Sequence, residues 1–65
     1  MNRETMRNLA DTYNSRMKRC AKQAIKSIEQ GYFSAAATEI TNAVRYKSLA
    51  DEYEYILGTM EAFDE

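Results

Sequence analysis

The side chains that could carry out chemistry are a single thiol, Cys20, and an acidic cluster formed by Asp51, Glu52 and Glu54. General acid–base and nucleophilic sites usually use histidine, or a carboxylate held in a cleft that shifts its pKa. The chain has no histidine, which excludes Glu-x-x-His di-iron chemistry, and one thiol is too few for a structural zinc site. A solvated helix face explains the acidic cluster. We therefore expect no enzymatic activity, no metal and no cofactor.

Cys20 has two possible roles. It falls within an apolar stripe, where a thiol usually packs as a small core residue. Its neighbours Lys18, Arg19 and Lys22 would lower its pKa and favour redox chemistry if the sulfur were exposed.

Basic residues make nucleic-acid or acidic-partner binding an alternative function. Residues 1–30 hold seven basic and three acidic residues, whereas residues 31–65 hold two basic and seven acidic ones. Clustered cations on one face can contact phosphates, but the net charge of −1 also fits an ordinary solvated face. The candidate contact residues are Arg16, Lys18, Arg19, Lys22, Lys26, Arg45 and Lys47.

The small size of the chain favours self-association. Its 65 residues make a single helical domain, 1–65, and a domain this short has a marginal core unless a disulfide, a metal or a partner stabilises it. The lone Cys20 cannot form an internal disulfide, so we expect a homodimer or larger oligomer. A lone thiol without an apolar secretory signal at the N-terminus fits a reducing compartment, so we expect a cytoplasmic protein. We expect no membrane contact, since no apolar run approaches the length of a membrane span.

The elements that must position these residues are helices. Apolar residues from Met6 to Ile28 recur at steps of three and four, which predicts a helix over about residues 2–30. Gly31 follows where a left-handed cap would end that helix, and Ser34 is a plausible cap for the next. The fold class is therefore all-α, an antiparallel hairpin of helices at about 2–30 and 33–47 with a further helical segment at about 49–63.

The apolar face of the chain changes direction after Tyr46. From Phe33 to Val44 one side is apolar, but from Leu49 to Phe63 the apolar side is rotated by roughly 150° on a helical wheel. Supercoiling absorbs only about 20° per heptad. Either the chain breaks near residues 46–49 to form a third helix, or one long helix presents its second half to a different surface.

Residues 20–60 resemble a tetratricopeptide-type helical hairpin. Ala24, Gly31, Ala36, Ile40 and Ala43 match the small and apolar packing positions of that repeat, and the Leu57-Gly58 pair falls where a following repeat would begin. Proline is replaced by serine at position 48, and a large aromatic by cysteine at position 20. The resemblance implies a peptide- or protein-binding role and a third helix starting near Ala50.

These observations predict a small protein–protein interaction module that acts as a regulator, adaptor or inhibitor through a homo-oligomeric helical bundle. Its partners would be itself and another, unidentified protein. Tyrosine is common at interfaces because its ring buries area while its hydroxyl stays hydrated. The predicted interaction residues are Leu49, Tyr53, Tyr55, Ile56, Met60 and Phe63.

Overall fold

The first helix begins at an asparagine cap. Asn2 has extended backbone, and its Oδ1 accepts a hydrogen bond from the Thr5 N–H at 2.7 Å, which satisfies one of the free donors of the first turn. In the computed structural model, which describes residues 2–63, helix α1 spans Arg3–Glu29. The predicted first helix is confirmed. Two of the seven acidic residues counted in 31–65, Asp64 and Glu65, lie outside the described residues.

The turn is a glycine-dependent cap. Gly31 has φ 83°, and its N–H donates to the carbonyl of Ile28, while the Tyr32 N–H donates to the carbonyl of Ser27 at 2.8 Å. These two bonds form a Schellman motif, which satisfies carbonyls that the helix end leaves free. The left-handed glycine expected from the sequence is therefore confirmed, and it reverses the chain within three residues.

Helix α2 spans Phe33–Phe63 without interruption. Its first turn is already formed at Phe33, because the Ala36 N–H donates to the Tyr32 carbonyl at 3.0 Å. Ser34 therefore lies inside the helix, and its expected role as the cap is wrong. No third helix starts near Ala50, so the sequence follows the second alternative, one long helix.

The two helices pack through small side chains. Within residues 2–63, the buried core consists of six residues, four of them alanine. Ala10 and Ala24 are two heptads apart, and so are Ala36 and Ala50, so the contact follows a seven-residue repeat that keeps one seam facing the partner helix. Alanines at the seam bring the helices close together and give a rod of 51 × 14 × 13 Å. The full buried set is Met6, Ala10, Ala24, Ala36, Ala50 and Leu57.

The apolar side expected from the first part of α2 is only partly used. Ala36 is buried, but Phe33 is 69% exposed, Ile40 49% and Val44 61%. A continuous helix can turn only one seam towards α1, and the stronger apolar stripe beyond Tyr46 fixes that seam. Most of the apolar side predicted between Phe33 and Val44 is therefore left uncovered by α1.

Candidate interaction surface

The predicted interaction residues do not form a single surface. Four of them are half-buried, on the part of α2 that packs towards α1. Tyr55 and Phe63 are exposed by 77% and 85%. The hairpin therefore covers much of the stripe that the sequence suggested it could not bury. The half-buried four are Leu49, Tyr53, Ile56 and Met60.

Three tyrosines form a stack in the middle of the rod. The Tyr13 ring lies between the rings of Tyr46 and Tyr53, with centroids 6.0 and 5.8 Å away and interplanar angles of 21° and 6°. The Arg16 guanidinium lies over the rings of Tyr13 and Tyr46, 5.7 and 5.9 Å from their centroids. Offset stacking and cation–π contacts both stabilise this layer, so these rings join the two helices.

An apolar patch lies exposed near the turn. Ile25 is 58% exposed and Ile28 47%, and they add to the exposed Phe33, Ile40 and Val44 of α2. We call these five residues the turn-end patch. Large apolar side chains exposed together, as opposed to singly, are the usual mark of an interaction site.

Heptad spacing puts the turn-end patch on one side of the hairpin. Asn14 Nδ2 donates to Glu54 Oε1 at 2.9 Å, which shows that these two positions flank the same edge of the seam. Ile28 lies two heptads beyond Asn14, and Ile40 lies two heptads before Glu54. In a heptad-packed pair these residues stay on the same edge, so Ile28 and Ile40 both lie along it.

The same side becomes polar away from the turn. Lys47 Nζ contacts the Asp51 carboxylate at 3.2 Å, and Arg7 donates to Glu61 Oε1 at 3.0 Å. The Asn14–Glu54 hydrogen bond lies between these two ion pairs. One side of the rod thus carries apolar residues at the turn and paired polar residues over the rest of its length.

The predicted basic residues are all exposed but have different neighbours. Lys18, Arg19 and Lys22 line a shallow cleft on α1 together with Ser15 and Gln23. Arg16 covers the tyrosine stack and Lys47 pairs with Asp51, so neither belongs to that cleft. The remaining two, Lys26 and Arg45, are exposed on α1 and α2.

The Cys20 thiol is half-buried between the helices. Its pKa is raised, first by burial and then by the charge of the Glu39 carboxylate, which also accepts its hydrogen bond. The charge of Arg19 lowers this pKa, but by less than burial and Glu39 raise it. A raised pKa reduces the thiolate fraction, which fits the core-packing role of Cys20 better than the redox role.

Sequence reasoning missed the turn-end patch because each of its residues fitted a helical stripe. Ile25 and Ile28 widen the apolar side of α1, and Phe33, Ile40 and Val44 form the first apolar side of α2. The sequence feature that could have indicated the turn-end patch is the rotation of the apolar face along α2. In a straight helix, that rotation leaves one half of the face unpartnered.

Within residues 2–63, no helix has the length and apolarity needed to cross a membrane, and no three potential ligands cluster as a metal site would require. Comparisons with protein-family models, curated proteins and solved structures find no match to this chain.

Proposed function

We propose that this protein is a small interaction module that works by contact, through self-association into a helical bundle. The observation that carries the proposal is the turn-end patch, whose five large apolar side chains are each about half or more exposed. Burying a fully exposed side chain of this kind is worth about 1.5–3 kcal/mol, so covering the 47–69% that is still exposed is worth roughly 0.7–2 kcal/mol for each residue, which favours an apolar partner for the patch over water.

The weakness of the hairpin core supports the same proposal. Among the described residues only six are fully buried and four of these are alanine, so the fully buried core is small for a chain of 65 residues. Domains of this size usually gain the missing stability from a disulfide, a metal or another chain. With one cysteine and no histidine, another chain is the source that the composition favours.

An assembled bundle would act on a further protein as a regulator, adaptor or inhibitor. Tyr55 and Phe63 are exposed on α2 away from the turn, and they would remain available for that contact. Neither residue is needed to close the hairpin, so replacing them would weaken binding to the further protein without unfolding the hairpin.

The oligomeric state tests the proposal directly. Light scattering coupled to size exclusion, run over a range of micromolar concentrations, should give a mass of at least twice the 7.5 kDa of one chain. Far-UV circular dichroism on the same samples reports whether helix content rises with association. A folded, fully helical monomer at every concentration would contradict self-association.

Nucleic-acid binding is the second candidate, and the grouping of Lys18, Arg19 and Lys22 around one shallow cleft favours it. Phosphate binding through such a cluster should weaken steeply as salt rises. A gel-shift assay should then show a shift at low salt that is lost on Lys22→Glu combined with Lys26→Glu. Unchanged mobility of DNA and RNA at low salt would remove this candidate.

A further inference from the structure

The turn-end patch is self-complementary, and we infer that a second copy of this chain covers it. The two hairpins run in opposite directions and overlap only over their turn halves, where their helices form a short four-helix bundle. This inference rests on the proposed self-association and adds to it the surface and the arrangement.

The area of the patch fits a small dimer. Exposures of 47–69% on Ile25, Ile28, Phe33, Ile40 and Val44 leave about 500 Å² of mostly apolar surface per chain. Tyr32, 62% exposed beside the patch, adds to this area. A stable interface needs about 800 Å² per partner, including its polar rim, and the patch supplies most of that.

The polar residues beyond the patch limit how far two copies can overlap. A side-by-side dimer along the full rod would bury the Lys47–Asp51 and Arg7–Glu61 ion pairs, both more than 45% exposed in one chain. Desolvating paired charges often costs more than their attraction returns. Placing the turn of one copy on the tail of another would instead set apolar side chains against these charges. Overlap of the two turn halves avoids both costs.

The tyrosine stack fixes the relative heights of residues on α1 and α2. Tyr13 lies between Tyr46 and Tyr53, so it is level with about residue 50. Ile25, twelve residues nearer the turn, is therefore level with about residue 38, at the middle of the patch. There the small, exposed Ala37 lets a second chain approach closely.

A two-fold axis across the rod at this height sets α1 on α1 and α2 on α2, antiparallel. Ile25 of one copy then lies opposite Ile25 of the second copy. A parallel dimer, with its axis along the rod, would instead set Ile25 opposite α2 of the second copy. The identity of the residue facing Ile25 therefore separates the two arrangements.

The overall length also separates them. On α2 the patch runs from residue 33 to 44, about 17 Å at the helical rise of 1.5 Å per residue. Two rods of 51 Å that overlap by this amount give a particle roughly 85 Å long. A dimer that overlaps along its full length stays near 51 Å.

Charge swapping at position 25 tests the surface and the symmetry together. Lysine and glutamate both have higher helix propensity than isoleucine, so neither Ile25→Lys nor Ile25→Glu should disturb α1 itself. Each variant alone should dimerise about 100-fold or more weakly, because it sets like charges opposite each other in an apolar interface. An equimolar mixture of the two should recover dimer. Ala62→Lys, which places the same charge at an exposed position outside the patch, is the matched control and should dimerise normally.

Light scattering gives the mass of each sample, and small-angle X-ray scattering of the unsubstituted protein gives its maximum dimension. Dimer loss in both single variants, recovery in the mixture and a length near 85 Å are the expected results. An unsubstituted monomer overturns the proposed self-association and this inference together, and leaves a different polypeptide as the occupant of the patch. A dimer that survives Ile25→Lys, or dissociates on Ala62→Lys, overturns this inference alone. A dimer near 51 Å long also overturns this inference alone.

Discussion

The two glycines should respond in opposite directions to the same substitution. A Cβ built on either Gly31 or Gly58 meets nothing within 4 Å, so neither site has a steric obstacle to alanine. Gly58 lies in the interior of α2, where alanine is favoured over glycine by about 0.8–1 kcal/mol. Gly31 has φ 83°, a left-handed conformation that costs an L-residue about 1–2 kcal/mol. The backbone conformation at each glycine therefore decides whether alanine raises or lowers the stability of the protein.

Gly58→Ala should raise the melting temperature by about 4–8 °C, and Gly31→Ala should lower it by at least as much. Thermal unfolding followed by far-UV circular dichroism measures both shifts. All samples must be at one protein concentration, since association makes the melting temperature concentration-dependent. Shifts of the same sign in both variants would refute the reasoning.

Three further substitutions test the packing and the thiol. Ala50 is fully buried and has no room for a larger side chain, so Ala50→Leu should lower the free energy of unfolding by about 1–3 kcal/mol, as measured with denaturant. The control Ala35→Leu, on the exposed surface, should change the same free energy by no more than about 0.5 kcal/mol. Tyr13→Phe should retain the ring stack and most of the stability, but Tyr13→Leu should lose about 0.5–1.5 kcal/mol for each ring contact in the same assay. Burial and the Glu39 carboxylate raise the folded-state pKa of Cys20 above its unfolded-state value of about 8.5. The stability that the protonated thiol contributes is therefore complete below the unfolded-state pKa, and it is lost as pH rises through the folded-state pKa. Unfolding free energy should thus fall more steeply above that pH in the native sequence than in Cys20→Ala, and parallel profiles would contradict the shift.

Much of the fold could be predicted from the sequence because local signals agree with it. The regular apolar spacing of α1 and the glycine at position 31 each specify their structure without help from distant residues. The all-α hairpin follows from these two features. The asparagine cap at position 2 is equally local, since Asn is among the preferred N-cap residues.

The surface could not be predicted in the same way because it depends on how α2 is rotated against α1. Each half of α2 has an apolar side of its own, and local periodicity does not determine which of the two packs against α1. In the structure Ala36 is buried while Ile40 and Val44 are left exposed, although isoleucine and valine bury more apolar area than alanine. The seam is set by the whole length of the helix, and chiefly by the residues after Tyr46.

The stack of Tyr13, Tyr46 and Tyr53 gives the protein an internal optical signal. The chain has no tryptophan and five tyrosines, and three of those five tyrosines lie in one layer that exists only when α1 and α2 are closed together. Near-ultraviolet circular dichroism should therefore follow hairpin closure, whereas far-ultraviolet signals follow helix formation. Coincident loss of the two signals on heating would mean that the helices form only as a closed pair. A near-ultraviolet signal that disappears first would reveal open hairpins whose helices survive separation.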